Sequence, residues 1–216
     1  MATARSYGDP CGVARSLDVV GERWALLVVR ELLLGPKRFA DLRAGLPTMS
    51  PNVLSQRLRE LDERGVVRRR VLGPPLRVHV YELTEWGREL EPVLLHLGRW
   101  GARAPLPEGG RLGVDSMMLS IKAAYDPMSE GVHQEAYEIR VDDETFTVEV
   151  ADGRLDLRRG HAEHPAATAT ATAETLRTII SGQVAIADAV HDGTLVLAGS
   201  PTSVQYLSEL LAAAAR

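Results

Sequence analysis

Between Ser50 and Arg64 the chain runs Ser-Pro-Asn-Val-Leu-Ser-Gln-Arg-Leu-Arg-Glu-Leu-Asp-Glu-Arg, rich in side chains that can read the edges of bases. Arginine pairs with guanine, and asparagine or glutamine with adenine, through two hydrogen bonds at once. Leu54, Leu58 and Leu61 recur at helical spacing, so one face of this stretch is apolar. Asn52, Gln56 and Arg59 fall on the opposite side, with Arg57 on the flank. Ser50 is placed to accept a bond from an unpaired backbone N–H. Pro51 sits at the first helical position, where its missing N–H costs nothing, and Gly65 can end the helix. Taken alone, such a pattern is more often an ordinary surface helix; its neighbours change the odds.

A basic ribbon comes next. Residues 66–72 and 77–83 are β-rich runs joined by Gly73-Pro74-Pro75-Leu76, the pattern of a hairpin. It carries Arg68, Arg69, Arg70, Arg77 and His79, cations suited to phosphates or to a narrow minor groove. A solvated edge ribbon defended by charge is the alternative. Chemistry of other kinds finds little support. His161 and His164 stand three apart with Glu163 between them, but no further ligand at usual spacing completes a metal site. No Gly-rich phosphate loop, nucleophile elbow or paired-carboxylate motif is present. The expectation is a protein with no catalytic residue, no metal and no cofactor.

The elements that must position the reading helix are legible upstream. Helices are expected over residues 12–20, where the apolar positions Val13, Leu17 and Val20 suit a short helix, over 25–34, and over 39–44. Gly45-Leu46-Pro47 breaks the third before the Ser50 helix begins, which makes the pair a helix-turn-helix. Residues 1–10 read as disordered. Thr84 caps a helix from Glu85 to about Trp100, with an apolar stripe of Leu90, Val93, Leu94, Leu97 and Trp100, and with Pro92 inside it as a kink. A winged helix does not need this helix for its core, so a second copy of the chain is the expected partner; the chain's own second half is the alternative.

The chain has 216 residues, 45% of them hydrophobic, a single cysteine and no run of 18 apolar residues. No signal sequence opens it, so a cytoplasmic protein without a membrane partner is the default. Its net charge of −4 is unevenly spread: residues 1–103 are net +5 and residues 104–216 net −9. Only the first half is suited to meet a polyanion.

The order Cys11-Gly-Val, Gly21-Glu-Arg-Trp24, Leu32-Leu-Leu-Gly-Pro-Lys-Arg-Phe39, Leu42-Arg, the 50–61 segment, Gly65-Val-Val and Tyr81-Glu-Leu-Thr-Glu-Trp-Gly87 resembles HxlR-type transcriptional regulators over residues 11–101. The resemblance implies a dimeric winged helix that binds double-stranded operator DNA, with the 50–64 helix in the major groove and the hairpin along the minor groove. Asn52, Ser55, Gln56 and Arg57 match the family's reading positions, and Arg70 and Arg77 its wing. With Ser50, Arg59 and His79, these make up the candidate DNA-contacting set. Two features depart from the family: Cys11-Gly12 replaces Cys-Pro, and the hairpin is one residue longer between Pro75 and Tyr81. In some members the N-terminal cysteine senses oxidants or electrophiles; a structural Cys11 is the plainer reading.

After a Pro- and Gly-containing linker at residues 102–112, the second half reads as a helix over 112–124, three alternating strands, and the strictly alternating strand Ala167-Thr-Ala-Thr-Ala-Thr172. Helices over 174–181 and 184–191, a strand over 193–199 and a last helix capped by Ser200-Pro201 complete it. This order resembles a sterol carrier protein type-2-like domain over residues 113–216. Such folds often enclose an apolar tunnel, for which Met117, Met118, Ile121, Phe146, Ile179 and Ile186 are the candidate lining; a filled core of the same residues is the alternative.

The expected fold class is α+β: an N-terminal winged helix-turn-helix domain (residues 1–101), then helices over an antiparallel-rich sheet (113–216). The expected function is sequence-specific DNA binding by a homodimeric regulator, a repressor by default, controlled by a small hydrophobic effector. The alternative is a carrier of lipid-like ligands whose first half mainly dimerises.

Overall fold

The computed structural model describes residues 6–73, 77–105, 110, 112–126 and 134–214. The chain divides into two compact units, residues 1–94 and 95–216.

The first unit opens with four helices: α1 (Gly12–Val20), α2 (Ala25–Leu32), α3 (Phe39–Gly45) and α4 (Pro51–Glu63). Leu54, Leu58 and Leu61 of α4 are at most 1% exposed and join Val28 and Val29 of α2 and Leu42 of α3 in one core. Burial of these leucines holds α4 in place far more firmly than helix propensity would, since apolar burial is worth about 1.5–3 kcal/mol per side chain. The caps fall where the sequence places them: Ser50 accepts from the Val53 N–H, and Gly65 takes the left-handed conformation at φ +74°. Helix α2 ends two residues before the expected 34, with Leu33 and Gly35 donating to carbonyls three residues back. Residues 6–10 depart from the expected disorder in one respect. Ser6 Oγ and the Tyr7 N–H both donate to the Asp18 carboxylate on α1.

Strands β1 (Val67–Val71) and β2 (His79–Leu83) pair antiparallel, with Arg68 opposite Glu82 and Arg70 opposite Val80. The expected turn at Pro74, Pro75 and Leu76 lies outside the described residues. The hairpin is pinned to the loop before α3 by two backbone bonds, Lys37 N–H to Tyr81 O (3.0 Å) and Tyr81 N–H to Lys37 O (2.8 Å).

The helix expected from Glu85 to Trp100 is two helices, α5 (Glu85–Arg88) and α6 (Glu91–Gly101). Pro92 is the cause. It has no N–H to give, and its ring clashes with the carbonyl four residues earlier, that of Arg88, where α5 stops. The expected stripe is only half buried. Leu90 and Leu94 pack against the first core, while Val93, Leu97 and Trp100 are 53%, 44% and 69% exposed. On α1, which forms as the apolar spacing suggests, Val20 is buried while Val13 and Leu17 are exposed.

The second unit is a five-stranded sheet under helices. Its strands are β3 (Glu135–Val141), β4 (Glu144–Ala151), β5 (Arg154–Arg159), β6 (Ala167–Ala171) and β7 (Leu195–Gly199), in the order β5-β4-β3-β6-β7. All neighbours are antiparallel except β3 and β6, which run parallel. The helices are α7 (Val114–Ala124), α8 (Ala173–Ile180), α9 (Ile186–His191) and α10 (Pro201–Ala213). Alternation sets the faces. Tyr137, Ile139, Phe146 and Val148 are buried on the helix side, where the Tyr137 and Tyr206 rings lie 5.5 Å apart. The Ala-Thr repeat puts Ala167 and Ala169 inward at 1% exposure, so that strand β6 presents almost no side-chain bulk to α10. On the other face Glu138 is 1% exposed, covered by residues 161 and 162.

Candidate nucleic-acid interface

Helix α4 turns its leucines to the core, and geometry then forces the residues between them outward. Asn52, Ser55, Gln56 and Arg59 are exposed, as is Ser50 at the cap, whose hydroxyl is already committed to Val53. Asn52, Gln56 and Arg59 form the polar face that the spacing anticipates, and Ser55, a position singled out by the family resemblance, joins them.

Arg57 does not join them. It is 8% exposed, ion-paired to Glu60 on its own helix and 3.6 Å from the Glu22 carboxylate in the turn between α1 and α2. Its Nε is buried without a hydrogen-bond partner among the described residues. The expectation of a reading arginine on the flank therefore needs correction: position 57 faces the seam between α4 and the α1–α2 turn, because two carboxylates meet it there. Glu60 also accepts from Gln56 Nε2 at 2.9 Å. The sequence reading passed over Glu60, although i,i+3 and i,i+4 pairs on a helix are the ordinary signal for such contacts.

The wing presents Arg69, Arg77 and His79 in the open. Arg77 takes a left-handed backbone at φ +40°, uncommon for a residue with a side chain. Arg68 and Arg70 are half exposed, but both are held by Glu82, which is itself buried. Nothing short of the strand register would have found Glu82, since it lies 14 residues from Arg68.

Beneath the interface Glu31 of α2 sits at 3% exposure and accepts from Lys37 Nζ (2.7 Å) and Arg30 Nη2 (2.7 Å). Burial pushes its carboxyl upward, but Lys37 and Arg30 outweigh that and hold it below the ordinary range. Lys37 is the residue whose backbone ties down β2, so this buried cluster steadies the wing's root.

Residues 19–107 match the family model described as HxlR-like helix-turn-helix. Two Bacillus subtilis proteins, each described as an uncharacterized HTH-type transcriptional regulator, are similar to this chain. YvaP is 41% identical over 87 residues, covering 40% of this chain and 80% of its own length. YdeP is 40% identical over 96 residues, covering 44% of this chain and 74% of its own. The chain belongs to the HxlR-like helix-turn-helix family. Among solved structures, the reduced form of the transcriptional regulator YodB from B. subtilis is 33% identical and covers 46% of this chain and 97% of that one, with a TM-score of 0.39.

In this HxlR-like chain the second unit carries a further match: residues 117–212 fit the SCP-2 sterol transfer family. Of the six candidate effector residues, Met117, Met118, Ile121, Phe146 and Ile179 are at most 1% exposed, and Ile186 on α9 is half-buried. Arg159 stacks over the Phe146 ring, 4.8 Å from its centroid, and pairs with Asp115 of α7 and Glu144 of β4. Cys11 is exposed, and its sulfur accepts from the Ala14 N–H at the start of α1, as a capping side chain does. Among the described residues no group of three or more His, Cys, Asp or Glu is placed to hold a metal ion, and no helix is long and apolar enough to cross a membrane.

Proposed function

We propose that this HxlR-like chain is a sequence-specific, DNA-binding repressor that works as a homodimer in the cytoplasm. Residues 1–101 form its DNA-binding and dimerisation domain, 102–112 a linker, and 113–216 a domain that takes a small hydrophobic effector through Met117, Met118, Ile121, Phe146, Ile179 and Ile186. No catalytic step and no membrane partner enter the reading. The observation that carries it is the open face of α4: Asn52, Ser55, Gln56 and Arg59 project from a helix whose other face is locked in the core. In a major groove these side chains meet base edges, while Arg70, Arg77 and His79 of the wing reach backbone or minor groove. Dimerisation is supported by Val93, Leu97 and Trp100, exposed at helical spacing along α6, and by Val13 and Leu17 on α1. An effector shifts operator affinity only if it binds the two states of the dimer unequally.

The SCP-2 match of residues 117–212 favours a second reading, a carrier of lipid-like ligands whose first half mainly dimerises. Selection of bound duplexes from a randomised pool, followed by footprinting with and without hydrophobic compounds, separates the two. The regulator yields a pseudo-palindromic site with half-sites about one duplex turn, roughly 34 Å, apart. A copurified lipid-like ligand together with no sequence preference would favour the carrier.

A further inference from the structure

Glu60 lies on the reading helix with one side-chain oxygen toward each of two neighbours. Oε1 accepts from Gln56 Nε2 at 2.9 Å, and Oε2 is paired with Arg57 Nη1. An ionised carboxylate can only accept, so it fixes which end of the Gln56 amide turns toward it. The NH2 end must face Glu60, and the Gln56 carbonyl oxygen must face away. One of the two N–H groups is spent on Glu60. What Gln56 keeps for a partner is one acceptor and one donor, the set that matches adenine N6 and N7 in the major groove.

Arg57 makes this arrangement tolerable beside a polyanion. A bare carboxylate on a reading helix would be repelled by phosphates. Here its charge is met by a guanidinium that is 8% exposed and anchored on its far side toward Glu22, 3.6 Å away. The Glu60 side chain is 30% exposed, close enough to the surface to touch Gln56 yet backed by the buried arginine.

We propose that Glu60 sets the specificity of one base contact of α4: with Arg57 as its buried counter-ion, it presets the Gln56 amide to read adenine. The inference rests on the reading of α4 as the base-contacting helix. Glu60 is a positioning residue, since it acts through Gln56.

The test uses the full-length protein and the duplex that selection returns for the wild type. Affinity is measured by fluorescence anisotropy on that duplex and on variants with each base pair replaced in turn, and also on an unrelated duplex over a range of salt. The wild type discriminates for adenine at one position per half-site by about tenfold, the scale of a bidentate contact. Glu60→Gln, whose amide can donate as well as accept, no longer fixes which end of Gln56 turns toward it and loses most of that preference. Gln56→Ala and Glu60→Ala both lose that discrimination at the same position, the double variant loses no more than either alone, and the salt slope on the unrelated duplex stays unchanged.

Three results overturn the proposal alone while leaving the base-reading helix standing: Glu60→Ala keeping the preference that Gln56→Ala loses, the two variants acting at different base pairs, or Glu60→Gln keeping the full wild-type preference. A wild type with no base preference at all, or one that Gln56→Ala leaves untouched, overturns the proposal together with Gln56's place in the reading.

Discussion

Arg68 and Glu82 face each other across the β1–β2 hairpin, with Nε and Oε1 2.7 Å apart, and the second oxygen of the same carboxylate holds Arg70 at 3.2 Å. One buried acid thus occupies two of the wing's cations. Under the proposed DNA-binding role, Arg70 would have to exchange Glu82 for a phosphate. The two arginines are 57% and 49% exposed, so the pairs themselves stabilise the fold little.

Glu82→Gln is accordingly expected to strengthen binding to any duplex and to steepen its salt dependence by about one released counterion. Arg70→Ala and Arg77→Ala should weaken all sequences alike and flatten the slope by about one each. Salt titrations on two unrelated duplexes check both. Identical slopes in all three variants would remove the wing from the phosphate contacts.

The Glu31–Lys37 pair gives the first unit a sensitivity to acid. Burial raises the Glu31 carboxyl, Lys37 and Arg30 lower it by more, and the net direction is down. The folded chain then binds this proton more weakly than the unfolded chain. The stability it brings is complete above the unfolded value of about 4.3 and is lost as pH falls through the lower folded value. Glu31→Gln should cost about 3 kcal/mol near pH 7, the scale for removing one partner of a buried pair. It should also flatten the acid limb of a urea-unfolding series. Acid limbs of equal slope in the two proteins would show that Glu31 does not carry the effect.

Glu138 in the second unit has the same sign for a related reason. Burial opposes ionisation, but the Arg140 side chain and the Ala162 N–H outweigh it, with His161 alongside. Its transition belongs to the second unit, so Glu31→Gln leaves it in place.

Two glycines separate close packing from simple helix propensity. A Cβ at Gly87 would lie 2.1 Å from the Val66 carbonyl oxygen, a backbone atom at the root of the wing with no room to yield. Gly87→Ala should cost about 2 kcal/mol or more, as overpacking does. A Cβ at Gly98 on α6 meets nothing within 4 Å, and Gly98→Ala should raise stability by about 1 kcal/mol. Thermal unfolding of the two variants tests the contrast. Equal behaviour would mean that α5 does not seat against Val66 as described.

Helix α4 was legible because its signals are local. Ser50, Pro51 and Gly65 are punctuation that acts on the next few backbone groups, and the leucine period needs no knowledge of what lies opposite. The same holds for the Ala-Thr alternation of β6. Pro92 announced a disturbance, but whether the helix bends or stops depends on how the chain on either side packs, and it stops.

The sequence by itself determined the order of elements, the polar face of α4 and the positive charge of the half that bears it, since periodicity, caps and composition are properties of neighbouring residues. Only the tertiary structure decided which charged groups stay available. Arg57 is withdrawn because Glu22, 35 residues earlier, comes within 3.6 Å of it, and Arg70 is shared because the register sets Glu82 beside it. The strength of a charge pair depends on distance and burial, and neither can be read from a linear order in which the partners lie far apart.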